Sequence, residues 1–264
     1  MTILDKIIAH KRIETDERKL SRPVSALEKS PLFSSPVSSM SKSVASAEGH
    51  GIIAEFKRKS PSKGTINAGV SVEEVTTGYV QAGVSGLSVL TDVNFFGGSN
   101  EDFLLARKVN QCPMLRKDFV IDEYQIIEAK SIGADVILLI AAALEPRKLK
   151  ELASFARTLG LEVLLEVHDE EELKSNEGAP VDMIGVNNRS LKTFEVNIEI
   201  SRQLAPLIPK GVVKISESGI ESIQAIRELK TYGFKGFLMG QHFMQEPDPG
   251  KAAAAFIQQL KKNV

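Results

Sequence analysis

Four short apolar stretches each end in side chains able to hold or move a proton. Ile52-Ile53-Ala54-Glu55-Phe56-Lys57 carries Glu55 and Lys57, and Leu115-Arg116-Lys117-Asp118-Phe119 carries Lys117. Glu166 sits near the end of Leu161–Val167, and Glu217 near the end of Val213–Gly219. Side chains alternate faces along a strand. Ile53, Glu55 and Lys57 therefore share one face, opposite Ile52, Ala54 and Phe56. The small and aromatic residues suit a helix-covered side, which turns Glu55 and Lys57 inward. By the same alternation Lys117 faces with Leu115 and Phe119, Glu166 with Leu164, and Glu217 with Val213 and Ile215. Buried charges are costly unless paired or used, and their pKa values then shift toward acid/base work. Lys57 or Lys117 suits protonation of an oxygen, and Glu55 or Glu166 removal or guidance of a proton. For any single pair, a salt bridge satisfying the polar end of a core is the competing reading. Recurrence at four strand ends favours a site.

Three loops are suited to an anion. Lys59-Ser60-Pro61-Ser62-Lys63-Gly64 is basic and hydroxyl-rich, while Glu217-Ser218-Gly219-Ile220 and Gly236-Phe237-Leu238-Met239-Gly240-Gln241 bring glycines close to helix starts. Glycine lets backbone N–H groups approach an anion, and helix N-termini add positive dipole ends. Ser60 and Ser218 offer hydroxyls, with Gly219, Gly240 and the Gln241 backbone beside them; Lys59 and Lys63 are expected to face solvent. Asn187-Asn188-Arg189 combines two amides and a planar guanidinium suited to carboxylates and hydroxyls. Asn188 reads better as a loop organiser. Phe95, Phe96 and Phe119 stand at strand ends, where they can line a slot for an aromatic ring.

The elements that must position these groups recur regularly. Apolar segments begin near Ile52, Val84, Pro113, Ala134, Leu161, Met183, Val212 and Phe234. Their spacing accommodates a strand, a helix and two short loops. Ser71 with Glu74, and Asp169 with Glu172, read as helix N-caps. A last helix is expected from Lys251 to about Lys262. The expected fold is an α/β (β/α)8 TIM barrel, whose strands 1, 3, 5 and 7 feed one interior layer near the mouth. Residues 1–50 read as an N-terminal helical extension, and residues 51–264 as the catalytic barrel, together one structural domain. Thr2 to about Lys19 forms the first helix, with Ile3, Ile7 and Ile8 on its apolar side. Pro23, Pro31 and Pro36 interrupt the Ser-rich stretch that follows, which reads equally as a tail or a packed lid.

Whole-chain properties narrow the class. The 264 residues are 42% hydrophobic and 25% charged with a formal net charge of −1, which gives no general attraction to nucleic acid or membrane. The single cysteine, Cys112, excludes an internal disulfide, and the four histidines lack metal-ligand spacing. No metal and no cofactor are expected, and a cytoplasmic location is. The polar start does not resemble a secretory leader. Neither a Gly-x-Gly-x-x-Gly after the first strand nor a P-loop is present.

Seven segments taken in order carry a resemblance to a known family. They are Ile53–Gly64, Ser88–Asp92, Phe95–Ser99, Leu115–Phe119, Glu166–His168, Gly185–Arg189 and Ser216–Ile220. Across roughly residues 3–260 the chain resembles the indole-3-glycerol-phosphate synthases of tryptophan biosynthesis. The resemblance implies a lyase that converts 1-(2-carboxyphenylamino)-1-deoxyribulose 5-phosphate to indole-3-glycerol phosphate, carbon dioxide and water. It implies that Lys117 activates the ketone oxygen, with Glu55, Lys57 and Glu166 as further acid/base or electrostatic groups. Asn187 and Glu217 orient the substrate, and Arg189 and Lys57 face the anthranilate carboxylate. Ser60, Ser218, Gly219 and the Gly240-Gln241 turn match phosphate contacts. Phe95, Phe119, Leu138, Leu191 and Leu238 match pocket-lining positions. The resemblance also implies that the N-terminal extension covers the barrel mouth. Gln241 stands where relatives also place Glu or Ser, and Phe56 is bulkier than the usual aliphatic residue. The implied partner is a small sugar phosphate, not nucleic acid or membrane. A monomer or weak homo-oligomer and association with tryptophan-pathway enzymes are both compatible, and the length leaves no room for the isomerase or amidotransferase fused to some relatives. Rival readings are a phosphoribosyl isomerase, which lacks use for the full charged set, and a non-catalytic sugar-phosphate sensor. The sensor reading would gain from Lys117 and Glu166 lying far from the phosphate-facing mouth.

Overall fold

The computed structural model describes residues 2–46, 50–191 and 193–262. Residues 47–49, just before the expected boundary at 50/51, lie outside that set, as do residues 1, 192, 263 and 264 within the expected extension and barrel. Eight parallel strands form a closed barrel: β1 (Ile52–Phe56), β2 (Gly86–Leu90), β3 (Met114–Lys117), β4 (Val136–Ile140), β5 (Glu162–Val167), β6 (Met183–Asn187), β7 (Val213–Glu217) and β8 (Gly236–Met239). Closure comes from β8 pairing with β1, where Ile53 is in register with Leu238. Strand starts fall within two residues of the positions expected from the apolar segments. Ser71 and Asp169 accept from the backbone of Glu74 and Glu172, so the anticipated caps start their helices. The last helix, Pro249–Lys262, begins two residues earlier than expected.

Two apolar layers follow from the strand period. Ile52, Ala54 and Phe56 belong to the outer layer beneath the helices, whereas Ile53, Leu115, Leu138, Leu164, Ile215 and Leu238 fill the interior. Each fully buried side chain of this kind contributes roughly 1.5–3 kcal/mol. A slip of one residue in β1 would exchange Glu55 for Phe56 at the interior, so burial holds the register that aims the charges.

The N-terminal extension reaches both ends of the barrel. Its first helix, α1 (Ile3–Ser21), starts with a capping box between Thr2 and Asp5 and does lie over the mouth, where Leu4 and Ile7 are buried. After α2 (Val24–Leu27), the chain travels to the opposite end of the barrel and forms α3 (Met40–Ala45). Met40 and Val44 enter the interior layer there, over Gly86 and Gly236, which have no side chains to fill the space. The Ser-rich stretch supplies the polar contacts. Ser43 donates to the Ser85 carbonyl at 2.6 Å, Ser41 donates to Glu162 Oε1 at 2.7 Å, and the Ser38 N–H donates to Asp135 at 2.7 Å. All three acceptors stand at strand starts. The extension is therefore a cover at one end and a plug at the other. Among the described residues, no helix is long and apolar enough to cross a membrane.

Candidate active site

The barrel register brings the charged strand ends into contact. Glu55 of β1, Lys117 of β3, Glu166 of β5 and Glu217 of β7 alternate around the interior, as expected for one layer of this architecture. Lys117 Nζ donates to Glu166 Oε2 at 2.7 Å and to Glu217 Oε2 at 3.1 Å. Asn187, in register with Glu217, donates from Nδ2 to Glu166 Oε1 at 3.0 Å. Lys57 pairs with Glu55 at 2.6 Å, and Ser88 on β2 donates to the same carboxylate at 3.4 Å. The even strands leave room for this layer. A Cβ at Gly185 would overlap Glu217 Oε1, and one at Gly240 would fall 2.8 Å from Glu55 Oε1.

Electrostatics differentiate the two carboxylates that hold Lys117. Burial alone would lower the Lys117 pKa, but Glu166 and Glu217, with Glu55 behind them, outweigh it and hold the ammonium charged. Burial opposes ionisation of Glu166, yet Lys117 and His168 keep its carboxyl well below the usual range. Glu217 goes the other way. Burial and the neighbouring Glu166 and Glu55 charges outweigh Lys117 and push it up to about 7. One cation thus sits between a firmly ionised carboxylate and one that titrates near neutrality.

His168 follows β5 and stands behind Glu166, its Nε2 3.3 Å from Glu166 Oε1 and its Nδ1 3.2 Å from Glu172 Oε2. Burial disfavours its charge, but these two carboxylates raise it to about 10.

All six residues with expected acid/base or orienting roles line a single cavity at the barrel mouth. Among the described residues expected to bind substrate, only Phe95 lies outside it. Phe95 packs edge-on to His10 instead, and its neighbour Phe96 lines the cavity with its ring 5.8 Å from that of Phe119. Arg189 also reaches the cavity, although its guanidinium donates to the Phe194 carbonyl at 3.0 Å and braces the loop after β6. Asn188 is fully buried and ties that loop to Ser216 and to the carbonyls of Glu217 and Ser218.

The anion-suited loops line the same cavity. Ser60 is buried, Ser218 and Gly219 adopt successive left-handed conformations at φ 65° and 73°, and Gly240 opens the short helix Gln241–Met244. The first N–H groups of a helix have no intrahelical acceptor. Lys59 and Lys63 are exposed, as expected. Hydroxyls and backbone donors therefore share one cavity with the Lys117 cluster.

Sequence comparison identifies relatives of this chain. Residues 4–256 match the family described as indole-3-glycerol phosphate synthase. The chain is 48% identical over 260 residues to the indole-3-glycerol phosphate synthase of Bacteroides thetaiotaomicron, covering 98% of this chain and 99% of the relative. The chain belongs to the indole-3-glycerol phosphate synthase family. A Campylobacter jejuni synthase is 42% identical over 259 residues, covering 97% of this chain and all of that protein. Of the three strand-end phenylalanines read as a possible aromatic slot, Phe96 and Phe119 line the cavity and Phe95 does not; Ile3 and Ile7 from the apolar side of α1 close it together with Leu4. For a member of the synthase family, Leu4 and His168, which backs Glu166, were not anticipated at the mouth. Only the Glu-Val-His motif signalled His168.

Proposed function

We propose that this synthase-family chain closes the indole ring of 1-(2-carboxyphenylamino)-1-deoxyribulose 5-phosphate, with Lys117 as the acid that starts the reaction. The observation that carries the assignment is the Lys117 ammonium, held at 2.7 Å and 3.1 Å by two buried carboxylates in the cavity that also contains Ser60, Ser218 and Gly240. The phosphate binds at those loops and the aryl ring against Phe96 and Phe119, which brings the ketone between the charged groups.

The ring carbon bearing the carboxylate attacks the ketone carbon while Lys117 gives a proton to the ketone oxygen. The aryl nitrogen supplies the electron pair and becomes an iminium. Loss of carbon dioxide returns the electrons of the broken C–C bond and restores the aromatic ring. The new hydroxyl then leaves as water with a proton from the adjacent methylene, forming the indole double bond. Glu55 and Lys57, paired at 2.6 Å, form a second acid/base couple suited to that dehydration. Glu166 balances the Lys117 charge, and Asn187 and Glu217 orient the substrate. Fixed charges in a water-poor cavity stabilise the developing iminium and oxyanion without metal or redox chemistry being required.

Lys117 and Glu166 lying apart from the phosphate-facing mouth would have favoured the sensor reading; they share one cavity with Ser218 and Gly240, which supports the enzyme. We read the protein as cytoplasmic, acting on a small sugar phosphate as a monomer or weak homo-oligomer. To test the assignment, the purified chain is incubated with the carboxyphenylamino sugar phosphate and indole fluorescence is followed. Indole-3-glycerol phosphate should form, and Lys117→Ala should lose about 10²–10⁴-fold in rate. No product above a folded Lys117→Ala control, with intact substrate, would sink the reading.

A further inference from the structure

Lys11 lies on α1 one turn beyond Ile7, on the buried side of the helix, and is 1% exposed. Its Nζ is 2.8 Å from Glu14, 3.0 Å from Asp92 Oδ2 and 2.9 Å from Asp118 Oδ1. Both aspartates are fully buried at the ends of the β2 and β3 segments. Their contacts lead into the cavity wall. Asp92 Oδ1 accepts from the backbone N–H groups of Phe95 and Phe96 at 2.7 Å and 3.0 Å, while Asp118 Oδ1 accepts from the Phe119 N–H at 2.8 Å. The Phe96 and Phe119 rings are 5.8 Å apart and both line the cavity. Asp118 also directly follows Lys117 in the chain.

We propose that Lys11 is a positioning residue, through which the N-terminal helix assembles the aromatic wall that receives the aryl ring of the substrate. Two buried carboxylates can hold the backbone of Phe96 and Phe119 only while a cation compensates them, because unpaired buried charge is strongly unfavourable. Arg116 contacts Asp118 at 3.3 Å from the outer side of the sheet, but Lys11 is the cation within ion-pair distance of both aspartates. The charge states agree with this geometry. Despite burial, the neighbouring aspartates hold Lys11 charged, and Lys11 with Arg116 holds Asp118 well below the usual carboxylate range. The phosphate loops of β7 and β8 have no part in the Lys11 contacts, so the effect should be confined to the ring-binding half of the cavity.

The inference rests on the proposed synthase function, and its test separates the two. Calorimetry measures binding of two probes to the full chain: the unreactive ribitol form of the substrate, which retains the aryl ring, and ribulose 5-phosphate, which lacks it. Lys11→Met should weaken the ring-bearing probe at least tenfold and leave the ring-free sugar phosphate within twofold. Turnover should show KM for the full substrate rising by a larger factor than kcat falls, and Lys11→Arg should recover most of the lost affinity. Equal weakening of both probes, or no weakening of either, overturns the positioning role. Should Lys11→Met fail to fold, Lys11→Met paired with Asp92→Asn removes one cation and one anion while keeping an oxygen acceptor for the Phe95 and Phe96 N–H groups. That pair should bind the ring-bearing probe within threefold of Lys11→Arg, and a larger deficit overturns the inference. Failure of the unaltered protein to bind the ring-bearing probe would instead refute the synthase reading.

Discussion

Gly240 lies against Glu55 so closely that a Cβ at residue 240 would sit 2.8 Å from Glu55 Oε1, 2.9 Å from its Cβ and 3.2 Å from its Cγ. The carboxylate tip could swing aside, but Cβ and Cγ are tied to β1 and cannot. Gly240→Ala should therefore displace Glu55 from Lys57 and destabilise the fold by about 1–3 kcal/mol, the usual cost of overpacking. Thermal unfolding and single-turnover rates measure the two effects. An alanine variant with unchanged turnover would show that the Glu55 position is not needed for the chemistry.

The Glu55–Lys57 pair and the Lys117 cluster should fail at different stages. Lys57→Ala is expected to let ring closure proceed and to slow dehydration by about 10²–10⁴-fold. Rapid quenching and mass analysis should then reveal a species that has lost carbon dioxide but not water. In Lys117→Ala that species should not form, because the first carbon–carbon bond is not made. Its accumulation in the Lys117 variant, and not in the Lys57 variant, would reverse the assignment.

Ser218 tests the anion wall separately from the proton-transfer groups. Its hydroxyl is proposed to donate to phosphate, a charge-assisted bond contributing about 1.5–3 kcal/mol. Ser218→Ala should raise KM by about tenfold or more with little change in kcat, the pattern of a contact equal in ground and transition states. Inorganic phosphate should inhibit this variant more weakly than the parent. A selective fall in kcat would place Ser218 in the chemistry instead.

His168 gives a pH dependence with a definite sign. Its folded pKa is raised to about 10 by Glu166 and Glu172, against an ordinary value of 6.5. A raised base contributes stability that is fully present below 6.5 and is lost as pH climbs through about 10. Chemical denaturation between pH 6.5 and 10 should show this decline, on the order of a few kcal/mol. His168→Gln should flatten that part of the profile. Persistence of the same slope in the variant would assign it to another group.

The interior half of the site was legible from β-strand alternation, since Glu55, Lys117, Glu166 and Glu217 each share a face with an apolar residue that only the barrel interior could accept. The strands were legible for the same reason. Where the backbone leaves the strand, that periodicity ends. Phe95 and Phe96 are adjacent in a loop, and Asp92 capping, invisible as spacing, decides that Phe96 faces the cavity. The role of Lys11 has no signature in local spacing, because its two aspartate partners are more than eighty residues away in the chain. The Ser-rich stretch concealed its role similarly: hydroxyls that suit a flexible linker equally suit capping of strand starts, and only the spaces over Gly86 and Gly236 select between them.

That plug has a consequence for the order of assembly. Val44 packs beside Gly236, almost two hundred residues later in the chain, and α3 cannot find its complete seat until β8 exists. Contacts between distant parts of a chain carry a loop-closure cost and form slowly. During synthesis, then, this segment is made long before its seat is complete, and its hydrophobic Met40 and Val44 must wait until β8 has emerged.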